Sequence, residues 1–211
     1  IPLRLVGSEM CIRDRQLGLH AGYLQHLARW NKRLNLTSLD VDAPSHEAID
    51  RLIVEPVKAS TCLAPSDVCV VDIGSGAGSP AIPLAISAPD ITVVMVESRS
   101  RKVAFLRESV RFLGLPHVSV THSRIEDLVK GSLRWNRSVD VVTMRAVRLD
   151  HAMVTSVDML LSPNGRFFLF HSEGHVEQAL SSNENFECMG VVPLLHSNAS
   201  RLSVFSRSSA R

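Results

Sequence analysis

The 211-residue sequence predicts an α/β, Rossmann-like fold: a mostly parallel, seven-stranded sheet with helices on both faces, preceded by an N-terminal helical cap. Three observations predict it. After Pro65, short β-branched runs alternate with helical stretches, the pattern of βαβ units. These runs are almost continuously apolar, as strands covered on both faces must be. Before Pro65 the apolar residues recur only at helical spacing.

The elements follow in order. Leu17, Tyr23, Leu24, Leu27, Trp30 and Leu34 mark an amphipathic helix over Gln16–Leu34. A second helix follows Pro44, carries Ile49, Leu52, Ile53 and Val57 on one side, and ends before Pro65. Strands are then predicted at Val68–Ile73, Ile91–Val96, Val118–Thr121, Val139–Thr143 and Phe167–Phe170. Between them lie helices at Pro80–Ser87, Arg99–Leu113, Glu126–Lys130 and Asp150–Leu161. Gly190–Leu194 and Arg201–Phe205 read as two more strands, joined by a turn at Ser197-Asn198. The cap thus spans 16–64 and the main domain 65–206, with residues 207–211 a frayed tail.

Composition narrows the function. At 45% hydrophobic and 21% charged, with a net charge of +2, the chain can bury a core and is no disordered or strongly basic protein. An apolar run long enough to span a membrane is absent, so no membrane contact is expected; a cytoplasmic location and a monomer are the further expectations. Only four of the 23 basic residues are Lys, and the Arg majority suits phosphate contacts. Cys11, Cys62, Cys69 and Cys188 form no CxxC pair and no zinc spacing with histidine, so neither a metal nor a disulfide framework is expected.

The stretch from Leu5 to Arg15, LVGSEMCIRDR, resembles the translation of a transposase-type sequencing-library adapter. Residues 1–15 are therefore expected to be non-native, and no targeting signal can be read from this end. Without them the net charge is +1.

The strongest chemical signal is Asp72-Ile73-Gly74-Ser75-Gly76-Ala77-Gly78-Ser79-Pro80, where the first strand turns into a helix. Glycines let the backbone approach a ligand, and a helix start offers free N–H groups. The spacing is GxGxG after an acid; a dinucleotide fingerprint wants GxGxxG, and a phosphate loop ends in Gly-Lys-Ser/Thr. Roughly 20 residues on, Glu97 ends the second strand, where a carboxylate can accept both hydroxyls of a ribose. This combination is the pattern of class I S-adenosylmethionine (SAM) methyltransferases. A nicotinamide dehydrogenase and a ligandless Rossmann-like domain are the competing readings.

Further residues resemble one family, the bacterial small-subunit rRNA guanine-N7 methyltransferases, also called glucose-inhibited division protein B. Trp30-Asn31-Lys32-Arg33-Leu34-Asn35-Leu36-Thr37-Ser38 is similar to its N-terminal signature, and the glycine turn with Pro80 and Ile82-Pro83-Leu84-Ala85 to its extended SAM loop. Val96-Glu97-Ser98 with Lys102, Ser123-Arg124-Ile125-Glu126-Asp127 and Thr143-Met144-Arg145-Ala146-Val147 continue the likeness, from about Gln16 to Phe205. The resemblance implies SAM as cofactor, held by Asp72, Gly74, Ser75, Gly76, Gly78, Ser79, Glu97, Ser98, Ile125, Glu126 and Arg145. It also implies small-subunit rRNA, or the ribosomal small subunit, as partner. RNA contacts are expected from Asn31, Lys32, Arg33 and Asn35, and from Arg99, Arg101 and Arg148 near the ligand edge of the sheet. These charges could equally be solvated faces; Arg145 could be a solvated strand-end arginine, Glu126 a helix-start acid, and Trp30 a core anchor.

Four positions depart from the family: Ser79 for a bulky apolar residue, Ala81 for glycine, Met144 for a small hydroxyl residue, and His171-Ser172 for Lys-Gly. They keep open a methyltransferase acting on another RNA or a small molecule, or a non-catalytic SAM- or RNA-binding module. For guanine N7 no general base is needed, because the lone pair is free, and no catalytic residue is assigned; Arg145 is the nearest candidate. Exocyclic amine transfer is disfavoured, since Thr143-Met144-Arg145-Ala146 stands where Asn/Asp-Pro-Pro-aromatic would be. Cytosine C5 transfer is disfavoured because no cysteine falls at the ligand edge.

Overall fold

The structure, a computed structural model, describes residues 3–131, 135–172, 180, 185–195 and 200–208, with side chains from Asp14 onward. Seven strands run β1 (Cys69–Ile73), β2 (Thr92–Glu97), β3 (Val118–His122), β4 (Val139–Arg145), β5 (Leu161–Ser172), β6 (Phe186–Pro193) and β7 (Ser200–Arg207). They form one sheet in the order β3-β2-β1-β4-β5-β7-β6. β1 to β5 are parallel, and β7 enters antiparallel between β5 and β6. The order reverses at β1/β4, so the C-terminal ends of these strands open a crevice for a ligand.

Alternation within each strand divides the core. Val70, Val93, Met95, Val141, Phe168 and Leu202 face one layer; Val71, Val94, Val96, Val142, Met144, Phe167 and Phe205 face the other. The first layer holds α1 (Leu3–Leu34), α3 (Glu55–Ser60), α4 (Ala81–Ser87) and α5 (Ser100–Leu113); the second holds α6 (Ile125–Gly131) and α7 (His151–Leu160). Both faces being covered is why the strands lack a polar side. Asp150 starts α7, its carboxylate accepting from the Met153 amide at 3.0 Å, and left-handed Gly114 ends α5. No described helix is long and apolar enough to cross a membrane.

Several elements differ from expectation. α1 begins at Leu3 instead of Gln16, and Leu17, assigned to its apolar face, is exposed. The second cap helix is three pieces: α2 (His46–Ile49), a π-helical turn (Asp50–Val54) and α3. A π turn shifts the carbonyl ladder and frees backbone oxygens, which periodicity cannot reveal. β5 starts six residues early because Leu161 pairs with Val139 before a register shift. β6 is longer than predicted and contains a bulge between Cys188 and Gly190. β7 runs through Arg207, which donates to Asp158 at 2.8 Å, so the strand overlaps the predicted tail. The predicted Ser197-Asn198 turn lies outside the described residues.

α1 docks through Tyr23 and Leu27, with Trp30 edge-on to Phe105 at 5.9 Å. His20 and His26 share this buried face, and His26 stacks on Phe112 at 4.8 Å. Burial lowers the pKa of both, and one ring nitrogen of each lacks a hydrogen-bond partner. In the folded chain both therefore take up protons at lower pH than in the unfolded chain, which does so near the ordinary imidazole value of about 6.5. Stability is therefore expected to fall as pH drops below that value. His26→Phe keeps the stack and should flatten the slope in urea unfolding between pH 7 and pH 5; an unchanged slope would refute the assignment.

Candidate active site

The glycine loop is built onto the end of the sheet. The Gly74 and Ser75 amides donate to the Val96 carbonyl at 2.8 and 3.3 Å, hooking the loop from β1 over β2. Glu97, buried at the end of β2, accepts from the Gly76 amide at 3.0 Å and from the Arg99 amide at 2.9 Å. Each carboxylate oxygen retains a lone pair, so Glu97 can also accept two ribose hydroxyls. Gly74, Gly76 and Gly78 all have positive φ, at 69°, 51° and 93°. Beneath the loop, Tyr23 of α1 donates to the Ala77 carbonyl at 2.8 Å, so the cap props it from below.

Asp72, expected at the cofactor site, ties β1 to β4. Its carboxylate is buried, accepts from Thr143 of β4 at 2.6 Å, and lines neither cavity described below. Burial pushes it up to about 6 against the opposing pull of its hydrogen bonds. Ser75 is likewise buried, its hydroxyl donating to the Asp72 carbonyl at 3.2 Å. The Ser79 hydroxyl donates to the Leu52 carbonyl at 3.0 Å, tying the loop to the π turn of the cap.

Two cavities open at the C-terminal edge. One, about 210 Å³, is lined by residues including Gly74, Ser98, Ile125, Glu126 and Val147. It gathers four of the predicted SAM residues between the ends of β1, β2 and β3 and the start of α6. The second, about 310 Å³, lies over β4 and β5 and includes Arg51, Arg145, Val147, Phe170, His171 and Ser200. Val147 borders both.

Arg145, expected among the SAM contacts, lines the second cavity and not the first, and it is half-buried, so the solvated strand-end reading fails. Its Nη2 meets Glu55 Oε2 at 2.7 Å, its Nη1 donates to the Arg51 carbonyl, and its guanidinium lies over the Phe170 ring at 4.4 Å. Next to it, Ala146 holds a left-handed φ of 54°, a conformation that costs a non-glycine residue about 1–2 kcal/mol. Such strain gathers at functional sites.

The profile of the rRNA small subunit methyltransferase G family matches residues 16–202. The chain belongs to that family. Two relatives carrying the name Ribosomal RNA small subunit methyltransferase G are each 32% identical. That of Methylibium petroleiphilum aligns over 81% of this chain and 76% of its own length, and that of Staphylococcus saprophyticus over 79% and 68%. Solved structures show the same fold. A SAM-dependent methyltransferase from Aquifex aeolicus has a TM-score of 0.60 at 16% identity, covering 77% of this chain and 93% of its own. The mitomycin 7-O-methyltransferase has a TM-score of 0.59 at 15% identity, covering 88% and 66%. By fold and family the chain is a class I SAM-dependent methyltransferase.

In this methyltransferase G family member the basic residues expected to meet RNA fall in two groups. Arg29, Trp30, Lys32 and Arg33 line a cavity at the end of α1. Lys32 is tied to Asp42 at 3.1 Å, whereas Arg33 and Asn35 are exposed. Asn31, an expected RNA contact, also forms the turn after α1, since its amide oxygen accepts from the Leu36 and Thr37 amides at 2.7 and 3.0 Å and its Nδ2 donates to the Thr37 carbonyl. Arg99, Arg101 and Arg148 are exposed at the sheet edge. Of the departures from the family pattern, Met144 is wholly buried against the second core layer, so it touches neither cavity. His171 does line the second cavity; its Nδ1 faces the Ser172 carbonyl at 2.9 Å and its Nε2 the Ser203 hydroxyl at 2.8 Å. A carbonyl can only accept, which assigns the proton to Nδ1.

Sequence reasoning passed over Glu55 and Arg51. The available signal was an acid inside the apolar stripe of the second helix, three residues after Leu52.

Glu97→Gln is expected to weaken SAM binding about 10- to 100-fold, since an amide offers N–H against a backbone N–H and leaves a donor unpaired. Calorimetric titration checks this, and unchanged affinity would remove Glu97 from the cofactor site.

Proposed function

We propose that this chain transfers the methyl group of SAM to N7 of a guanine in small-subunit rRNA. The observation that carries the reading is the pair of cavities meeting at Val147, one lined by Gly74, Ser98, Ile125 and Glu126, the other open beside Arg145. The residues present fit SAM: Glu97, flanked by the cavity-lining Val96 and Ser98, keeps lone pairs for a ribose, Ile125 and Glu126 border the cavity where an adenine edge would lie, and Gly74 lines it at the start of the glycine loop. SAM supplies an electrophilic methyl carbon when bound. Everything else is positioning and exclusion of water.

Guanine N7 carries a lone pair and loses no proton before attack, so the site has no need of a base. The described residues lining the second cavity match this demand, since they include no Asp, Glu or Cys and the Nε2 of His171 is held by Ser203. The exposed arginines at the sheet edge and the basic end of α1 suit a polyanion, which a net charge of +2 spread evenly would not.

Incubation with small ribosomal subunits from a strain lacking its own N7 enzyme, followed by mass mapping of the modified base, tests the reading. Methyl at a guanine N7 is expected; methyl at an exocyclic amine or in protein overturns it. The second reading, transfer to another RNA, is favoured by His171 standing in the second cavity where the family has lysine, and methylation of bulk RNA but not of small subunits would select it. Residues 1–15 are proposed as non-native, a reading supported by the family match beginning at residue 16. The genomic sequence across this junction tests it.

A further inference from the structure

Glu55 opens α3 on the buried side of the cap and is 1% exposed. Desolvating a carboxylate costs several kcal/mol, so a buried one requires a specific partner. That partner is Arg145, 2.7 Å away, reaching from the end of β4. The π turn completes the arrangement. Its Arg51 carbonyl accepts from the Nη1 of Arg145, and its Leu52 carbonyl accepts from Ser79 in the glycine loop. Phe170 of β5 supplies the floor under the guanidinium. Three elements therefore fix a planar group that, by itself, would have several rotamers.

A guanidinium has five donor hydrogens, and the contacts to Glu55, Arg51 and Ser79 leave some of them for the cavity that Arg145 lines. Glu55 itself lines neither cavity. It acts on the reaction through the cavity-lining side chains it holds, Arg145 foremost among them. We infer that Glu55 is a positioning residue for methyl transfer, holding Arg145 from the cap so that its free donors face the acceptor cavity. The cap then builds part of the acceptor site, in addition to propping the glycine loop through Tyr23. The inference rests on the second cavity being the acceptor site.

Glu55→Gln keeps the shape and removes the charge; Glu55→Asp keeps the charge and serves as the conservative rescue. The variants and the parent chain are compared for SAM affinity, for kcat and KM with small subunits, and for folded fraction. In Glu55→Gln, kcat/KM for the RNA substrate is expected to fall about 100-fold per folded molecule while SAM affinity stays within about threefold, and Glu55→Asp should recover at least about a tenth of parental kcat/KM. Unchanged kcat/KM in Glu55→Gln, or equal losses in the two variants, overturns the inference. The ¹⁵N signals of the Arg145 guanidinium give a readout independent of the substrate: hindered rotation in the parent chain should be lost in Glu55→Gln. Persistence of hindered rotation overturns the inference even if the parent methylates some other RNA, whereas failure to modify guanine N7 by the parent bears on the proposed function alone.

Discussion

Arg145→Ala is expected to destabilise the chain by about 3–5 kcal/mol, because it strands Glu55 as an unpaired carboxylate in the interior. The wild-type pair is well shielded, with side-chain exposures of 15% for Arg145 and 1% for Glu55. Burial already raises the Glu55 pKa, and the attraction of Arg145 is the largest influence opposing it. Without Arg145 the folded-state pKa rises further, so the folded chain holds a proton that the unfolded chain releases near the ordinary carboxyl value of about 4.3. The sign follows: the deficit is full at pH 8 and shrinks as pH falls through the raised pKa. Urea unfolding at pH 8 and pH 5.5 measures it, and equal stability of variant and parent at pH 8 would refute the pairing. Glu55→Ala added to Arg145→Ala should return part of the loss, since the double variant buries no charge. Methyl transfer should fall as well, and a defect that persists per folded molecule separates site from scaffold.

Gly74→Ala is the second large effect. An added Cβ would come within 2.6 Å of Val147 Cγ2, closer than carbon atoms approach, in a backbone with φ of 69°. Val147 borders both cavities, so any shift that relieves the clash moves it into one of them. SAM affinity is expected to fall at least about 100-fold, near 2.7 kcal/mol, and the left-handed backbone adds about 1–2 kcal/mol of lost stability. Gly114→Ala is the control. Its φ is 61° and nothing lies within 4 Å of the new atom, so it shares the backbone cost without touching the site. If both variants bound SAM equally, the close packing of Gly74 against Val147 would have no functional weight.

Much of the architecture was legible because it follows from local rules. The strands are written in short, nearly continuous apolar runs and the helices between them in a period of 3.6, and the structure realises both with shifted ends. The π turn was not legible, since the apolar stripe of a continuous helix and of one widened by a residue differ by less than the stripe's own width. The early start of β5 escaped for a related reason. Ser162, Pro163, Asn164 and Gly165 fall between the predicted helix and the predicted strand, and only the pairing of Leu161 with Val139 extends the strand across them.

The candidate site divides in the same way. Gly74, Ser98, Ile125 and Glu126 line the first cavity because each lies at or beside a strand end, and strand ends in a parallel sheet meet at one edge. Asp72 and Ser75 belong to the same motif yet turn inward, and a motif does not say which side of a strand faces a neighbour. The sequence by itself determined the fold class, the glycine loop and its acidic partner, because these depend on spacing within a few residues or between consecutive strands. Only the tertiary structure decided that Arg145 is buried and paired with Glu55, that the cap braces the loop through Tyr23 and Ser79, and that Val147 stands between two cavities. Those relations join residues 27 to 90 positions apart, and their energies come from desolvation and close packing, which arise only once the chain has folded.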